Sequence, residues 1–73
     1  MTELQVLEAV KSAFEEIDTS NFSIETNFKD NEEWSSLTAL LLITIFDDTF
    51  GSSINGDALS KINTIKGLYD YVR

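Results

Sequence analysis

The side chains able to do acid–base or nucleophilic chemistry are few in kind, because the chain contains neither histidine nor cysteine. Without cysteine there is no thiolate nucleophile, disulfide framework or zinc ribbon. Without histidine there is no Ser-His-Asp triad, no imidazole base and no ligand for most transition-metal sites. Carboxylates and hydroxyls remain, so we do not expect the chain to be an enzyme on its own.

Carboxylates are numerous, and three pairs of them are adjacent in the sequence: Glu15 with Glu16, Glu32 with Glu33, and Asp47 with Asp48. Adjacent residues on a helix do not face each other, and a catalytic carboxylate would need burial to shift its pKa. Runs of acids more often form a solvated face. A calcium loop needs oxygen ligands at alternate positions, a central glycine and a final Glu, and the segments around Gly51 and Gly56 do not fit. We therefore expect no carboxylate catalysis and no metal site.

Ser36 is the hydroxyl with the most informative position. It lies in the segment Trp34-Ser35-Ser36-Leu37, where a polar loop meets an apolar helix. One interpretation is a helix cap, supplied by Ser35 or Ser36. The other is a site for a covalently attached phosphate ester, because a helix N-terminus offers free N–H groups and the positive end of the dipole to an anion. Such a hydroxyl needs no internal base if another enzyme performs the transfer.

The segment before this serine is predicted to contain one helix and one long loop. Residues 3–17 are predicted to be helical, and Thr2 with Gln5 fits a capping box. Its apolar residues recur at steps of three and four: Leu4, Leu7, Val10, Phe14 and Ile17. Residues 18–35 show no sustained period and are predicted to be a loop. Two apolar side chains are expected to attach this loop to the core: Ile24 and Phe28.

Residues 36–50 are predicted to form the second helix, which ends at Gly51. The middle of this segment is apolar on nearly every side, so the helix is expected to lie in the centre of a bundle. Its β-branched residues make a buried strand conceivable, but its length and the preceding Ser35-Ser36 pair favour a helix.

The C-terminal part is predicted to contain a turn-rich connector over 52–56, a short helix over 57–61 and a last helix capped by Thr64. The last helix has apolar residues at helical spacing: Ile65, Leu68, Tyr69 and Val72. Tyr71 is expected to be half exposed. The sequence thus predicts an all-α bundle of three longer helices and one short one, in a single domain over residues 1–73.

The net charge of −8 argues against nucleic acids and anionic membranes as partners, and for basic proteins. The longest apolar stretch, residues 37–46, is too short to span a bilayer, which needs about 20 residues. The first ten residues lack the basic region of a signal peptide. We therefore expect a soluble, cytoplasmic, monomeric protein that does not insert into membranes.

Over its whole length, the sequence resembles the acyl carrier protein family. Ser35-Ser36-Leu37 lies where that family has its Asp-Ser-Leu signature, and an apolar helix ending in Asp47-Asp48 follows. Four later segments fit the family's connector, third helix and last helix: Ile54, Lys61-Ile62, Thr64-Ile65 and Asp70-Tyr71-Val72. The resemblance implies a four-helix bundle of the acyl-carrier type.

The resemblance also implies a function. A phosphopantetheinyl transferase would move 4′-phosphopantetheine from coenzyme A onto Ser36, and the thiol of this arm would carry acyl groups as thioesters. Partner enzymes would be acyl-loading, condensing or acyl-transfer enzymes with basic docking patches. The protein itself would catalyse nothing.

Candidate partner-binding residues follow from the same resemblance: Leu37, Leu41, Asp47 and Asp48. The second helix of a fatty-acid carrier usually has further acids on its exposed face, where this chain has Thr38 and Leu41. Leu37 is also expected to anchor the first turn of the helix in the core. Asp47 and Asp48 lie near the helix C-terminus, where the dipole opposes negative charge. Partner recognition and an ordinary solvated face both remain open for them.

Three places depart from the family pattern, and one of them, Trp34, indicates a specialised role. Ser35 replaces the signature Asp, and Glu32-Glu33 stand where an apolar-Gly pair is common. Trp34 beside the signature resembles carriers in polyketide, lipopeptide or modified-sugar synthesis, although it can equally serve to pack the loop onto the helix. Two alternatives are retained: a housekeeping carrier of fatty-acid synthesis, and an unmodified acidic helical adaptor that binds a basic partner.

Overall fold

A computed structural model describes residues 2–73. Four helices are present in this range: α1 (Glu3–Ser12), α2 (Ser36–Phe50), α3 (Gly56–Lys61) and α4 (Ile65–Val72). Helix α1 packs against α2 and α4, and α2 also packs against α3. The predicted all-α bundle with one short helix is confirmed, and its described part measures 26 × 23 × 20 Å.

Each helix begins with a polar cap, as the sequence predicts for three of them. The capping box at α1 is confirmed: the Gln5 N–H donates to the Thr2 hydroxyl at 3.2 Å, and the Thr2 N–H donates to Gln5 Oε1 at 2.8 Å. Asn55 caps α3 and Thr64 caps α4 through their side-chain oxygens. Gly51 ends α2 with φ 65°, a left-handed conformation that glycine adopts without steric cost.

The prediction of a first helix over residues 3–17 is wrong, because α1 ends at Ser12. The Ser12 hydroxyl donates to the carbonyl of Ala9 at 2.7 Å. Farther on, the N–H groups of Glu15 and Glu16 donate to the carboxylate of Glu33 at 3.1 and 3.0 Å. This contact with a distant side chain replaces the hydrogen bonds that a longer helix would make.

The predicted apolar stripe of α1 is also partly wrong. Leu4 is 64% exposed, and the buried residues of this helix are different ones: Val6, Ala9 and Val10. Phe14 is buried, but beyond the helix end. The predicted stripe assumed that Phe14 and Ile17 belong to the same helix, which would be five residues longer than α1. Aligning the helix with those two residues turned the predicted buried face away from the one that α1 buries.

Several apolar side chains attach the long segment between α1 and α2 to the core. Phe28 is fully buried and Ile24 is partly buried, as expected. The backbone of this segment forms hydrogen bonds with the start of α4. The Ile65 N–H donates to the carbonyl of Thr26 at 3.1 Å, and the Lys66 N–H donates to the carbonyl of Ile24 at 2.7 Å. An isolated antiparallel bridge joins Asn27 to Thr64.

Helix α2 does not lie in the centre of the bundle, contrary to the sequence-based expectation. It buries one stripe, consisting of Thr38, Leu42 and Phe46. Three of its leucines are exposed, at 76%, 60% and 41%: Leu37, Leu40 and Leu41. A chain of this size has too few elements to surround a helix, so α2 receives neighbours on one side only.

The end of the chain follows the prediction closely. Ile65 and Leu68 are fully buried, Tyr69 and Val72 pack against the core, and Tyr71 is 50% exposed. Among the helices of residues 2–73, none combines the length and apolar character needed to cross a bilayer.

Candidate functional site

The turn that leads into α2 is held by side-chain hydrogen bonds. Asn31 Oδ1 accepts from the N–H groups of Glu33 and Trp34 at 2.9 and 3.1 Å. The amide nitrogen of the same side chain donates to the carbonyl of Phe28 at 2.8 Å. Because Phe28 is fully buried, this network fixes the turn to the core.

Trp34 packs the turn against the body of the protein. Its ring stacks on Phe14 with a centroid separation of 6.3 Å and meets Phe28 edge-on at 5.4 Å. Such aromatic pairs add about 0.5–1.5 kcal/mol beyond the area they bury. Trp34 therefore packs against aromatic core residues of the segment that precedes α2, and this packing leaves open the comparison with specialised carriers.

Thr38 joins the turn to the first turn of α2. Its hydroxyl donates to the carbonyl of Glu33 at 2.7 Å, and its N–H donates to the Ser35 hydroxyl at 3.3 Å. Its side chain is only 7% exposed, so the expectation that it lies on the exposed face of the helix is wrong. Thr38 was predicted to be a surface residue because it is polar, but its hydroxyl forms a hydrogen bond with the carbonyl of Glu33 and can therefore be buried.

Ser36 is the first residue of α2, and the structure separates it from the capping role. Ser35 is the cap, whereas the Ser36 side chain is exposed and its hydroxyl makes no hydrogen bond within residues 2–73. No acid lies in the first turn of α2, in contrast to α1 and α3. The Ser36 hydroxyl is therefore accessible and lies at the positive end of a helix dipole that no neighbouring acid in that turn offsets.

A cleft of about 280 Å³ opens beside this hydroxyl. It is lined by residues from the preceding loop, α2 and α3: Lys29, Trp34, Ser35, Ser36, Ala39, Gly56, Leu59 and Ser60. Lys29 is the single charged residue in this lining, and burial lowers its pKa. A cationic, partly apolar cleft next to a free hydroxyl suits an anionic group with an organic chain attached to it.

The predicted partner-binding residues share one face of α2. Leu37 and Leu41 are one helical turn apart, and both are exposed. Asp47 and Asp48 are exposed at the other end, and the last turn of the helix contains no basic residue. The expectation that Leu37 anchors the first turn in the core is wrong, since it is the most exposed of the large apolar side chains within residues 2–73.

Sequence reasoning missed Leu40, which is 60% exposed and lies three residues after Leu37. The signal was available, because positions i, i+3 and i+4 of a helix share a face. It missed Lys29 altogether, since nothing local in the sequence shows that the loop passes beside the start of α2.

These features define a class of protein: a small helical bundle that presents one free hydroxyl at a helix N-terminus, beside a cationic cleft. The family model for the phosphopantetheine attachment site matches residues 5–72. The chain therefore belongs to this family, which confirms the resemblance to acyl carrier proteins. Its prosthetic group is covalently bound 4′-phosphopantetheine, and it is a carrier protein. No solved structure matches the chain.

Proposed function

We propose that the 4′-phosphopantetheine arm is attached to Ser36, and that the chain delivers acyl groups on this arm to the enzymes of a specialised pathway. The observation that carries the proposal is the free, exposed hydroxyl of Ser36 at the start of α2, with the capping role taken by Ser35. In the attachment reaction, Ser36 Oγ bonds to the phosphorus next to the pantetheine of coenzyme A. The bond from that phosphorus to the nucleotide part breaks, and the serine proton leaves to a base of the transferase.

The chain's own contribution is presentation. Ser36 lies on a helix whose first turn is tied to a loop that buried Phe28 attaches to the core. The arm therefore starts from a fixed point, and its thiol can reach only a limited volume. Holding a reactant in this way raises its effective concentration at a docked enzyme. We propose that residues 1–73 act as a single, monomeric carrier domain and perform no chemistry themselves.

The exposed face of α2 is proposed as the docking surface for the transferase and the acyl-handling enzymes. Leu37, Leu40 and Leu41 lie next to the attachment point, and Asp47 and Asp48 lie farther along the helix. Apolar contacts near the centre of an interface supply affinity, and charges farther out speed association with an oppositely charged partner. We infer partner surfaces with a small apolar depression and a basic patch.

A specialised pathway is favoured over a housekeeping one by three departures from the family pattern, at Ser35, Trp34 and the pair Glu32-Glu33. The structure gives each of them a physical role: Ser35 caps α2, Trp34 packs the turn, and Glu33 binds backbone N–H groups. The Glu33 carboxylate binds two N–H groups after α1, which a glycine at that position could not do. The exposed leucines of α2 likewise make the docking surface more apolar than the family's usual acidic one.

The attachment is tested by intact-mass measurement after incubation with coenzyme A and a broad-specificity phosphopantetheinyl transferase. Wild type is expected to gain one phosphopantetheine unit, and Ser36→Ala none. The Ser36 hydroxyl makes no hydrogen bond within residues 2–73, so Ser36→Ala should fold with nearly unchanged stability.

Ser35→Ala is the matched control. It should still gain the unit, although loss of the cap costs about 1 kcal/mol of stability. Labelling blocked by Ser35→Ala and retained by Ser36→Ala would move the attachment to Ser35. A wild type that gains no mass with several transferases would favour the adaptor alternative.

A further inference from the structure

Lys29 occupies an unusual place among the five basic residues of the chain. Three of these residues form ion pairs with aspartates three or four residues away in the sequence: Lys61, Lys66 and Arg73. Lys29 has no carboxylate within ion-pair distance in the range 2–73 and lines the cleft beside Ser36. A cation inside a cleft, without an acidic partner, is available to an anionic ligand.

The contacts of Lys29 hold its ammonium group at the wall of the cleft. Its Nζ donates to the carbonyl of Leu59 at 2.7 Å, and lies 5.9 and 6.0 Å from the ring centroids of Phe28 and Trp34. An ammonium group has three donors, so two remain after the bond to Leu59. The contacts restrict the long side chain and thereby reduce the entropy that it would lose on binding an anion.

Electrostatics favours an anion at this position. Lys29 is partly buried, so water solvates its charge less well than at the open surface, and this lowers its pKa. An anion nearby would restore part of the lost solvation. The start of α2, which also lines the cleft, adds the positive end of its dipole.

We propose that Lys29 binds the phosphodiester that joins the phosphopantetheine arm to Ser36, and that it thereby holds the first part of the arm in the cleft. The proposal rests on attachment at Ser36. At about 280 Å³ the cleft is smaller than ordinary ligand pockets, which measure roughly 300–1,000 Å³. It therefore suits the phosphodiester end of the arm, with the thiol end left outside for partner enzymes.

Lys29 could instead be only a clamp between the loop and α3, through its bond to Leu59. The two roles differ in one measurable respect. A clamp contributes equally before and after modification, whereas a phosphodiester ligand contributes only in the modified protein. A thermodynamic cycle between modification and mutation separates them.

The test compares unmodified and phosphopantetheinylated forms of wild type, Lys29→Gln and Lys29→Arg, each verified by intact mass. The unfolding equilibrium constant is measured by urea denaturation. Lys11→Gln is the matched control, because it removes one positive charge from α1, away from the cleft lining. We expect Lys29→Gln to raise the unfolding constant about three- to tenfold more in the modified form than in the unmodified form.

Lys29→Arg should retain much of this coupling, and Lys11→Gln should show none. The ³¹P resonance of the phosphodiester provides a second readout, and we expect it to move in Lys29→Gln and to stay in place in Lys11→Gln. Equal destabilisation of both forms, with an unmoved ³¹P resonance, would overturn the proposal and leave Lys29 as a clamp. A wild type that gains no mass would overturn the attachment itself, and this inference with it.

Discussion

The two ends of α2 are built in opposite ways. At the N-terminal end, the turn over residues 31–35 is fixed by Asn31 and Trp34, the first turn of the helix contains no acid, and a lysine lines the adjoining cleft. At the C-terminal end, Asp47 and Asp48 are exposed, and the last turn contains no basic residue. The helix thus presents positive potential at one end and negative charge at the other.

The helix dipole makes this contrast informative. An anion is favoured at the N-terminal end, so a phosphodiester on Ser36 would be stabilised where it is proposed to be attached. Acids at the C-terminal end oppose the dipole, at a cost of about 0.3–1 kcal/mol each. The first arrangement would stabilise a protein modified at Ser36. The second destabilises the chain itself, which favours a role for Asp47 and Asp48 in partner binding.

The largest effect on stability is expected at the fixed end. Thr38→Val removes the hydroxyl that donates to the Glu33 carbonyl and leaves that partly buried carbonyl without its partner. Loss of such a bond costs about 1–3 kcal/mol, measurable as a lower free energy of unfolding in urea. The same change should slow modification of Ser36, because the turn before it loses its tie to the helix.

Thr44→Val is the matched control for this prediction. The Thr44 hydroxyl also donates to a backbone carbonyl, that of Leu40 at 3.0 Å, but it does so on the exposed surface of the same helix. We expect a loss of less than about 0.5 kcal/mol there. Equal losses at the two positions would mean that the start of α2 is no more firmly fixed than its exposed surface.

The start of α2 was largely predictable from the sequence, because its signals are local. A serine pair between a polar loop and an apolar helix indicates a cap, and Gly51 indicates the opposite end. The termination of α1 at Ser12 was not predictable, because it depends on the Glu33 carboxylate reaching Glu15 and Glu16 from far along the chain.

The orientation of α2 was misread for a different reason. A helix that is apolar on nearly every side has no preferred buried face in its periodicity, and only packing against α1 and α3 decides it. In the structure this packing buries Thr38 and leaves Leu37 exposed to solvent. The cleft and Lys29 depend on the path of a long loop, which no local pattern encodes.

An intermediate effect is expected at the acidic end. Reversing both charges, as Asp47→Lys with Asp48→Lys, should lower the association rate with a basic partner enzyme several-fold at low salt. The difference from wild type should shrink as salt increases, because screening removes the attraction. Stopped-flow or surface-based kinetics at several salt concentrations measures both effects.

The matched control reverses two exposed acids that lie off this helix, Glu8 and Glu25, and so changes the net charge equally. If the control slows association as much as the double variant in α2, net charge governs docking and the acidic end has no special part in it. Without a partner present, the Asp47→Lys, Asp48→Lys variant should have a higher free energy of unfolding than wild type, since lysines at a helix C-terminus interact favourably with the helix dipole.

The smallest effect is expected from salt on the unmodified protein alone. A net charge of −8 on a chain of 73 residues produces repulsion between like charges. This repulsion is stronger in the compact state than in the unfolded chain, so it destabilises the fold. The Debye length falls from about 30 Å at 0.01 M salt to about 8 Å at 0.15 M. The melting temperature should therefore rise by a few degrees over this range, and further with millimolar Mg²⁺, as followed by circular dichroism.

The variant with both aspartates reversed has half the net charge, so its melting temperature should depend less on salt. A wild-type melting temperature that stays flat or falls would mean that repulsion does not limit stability, and the cost of the acidic end would then have to come from the dipole alone.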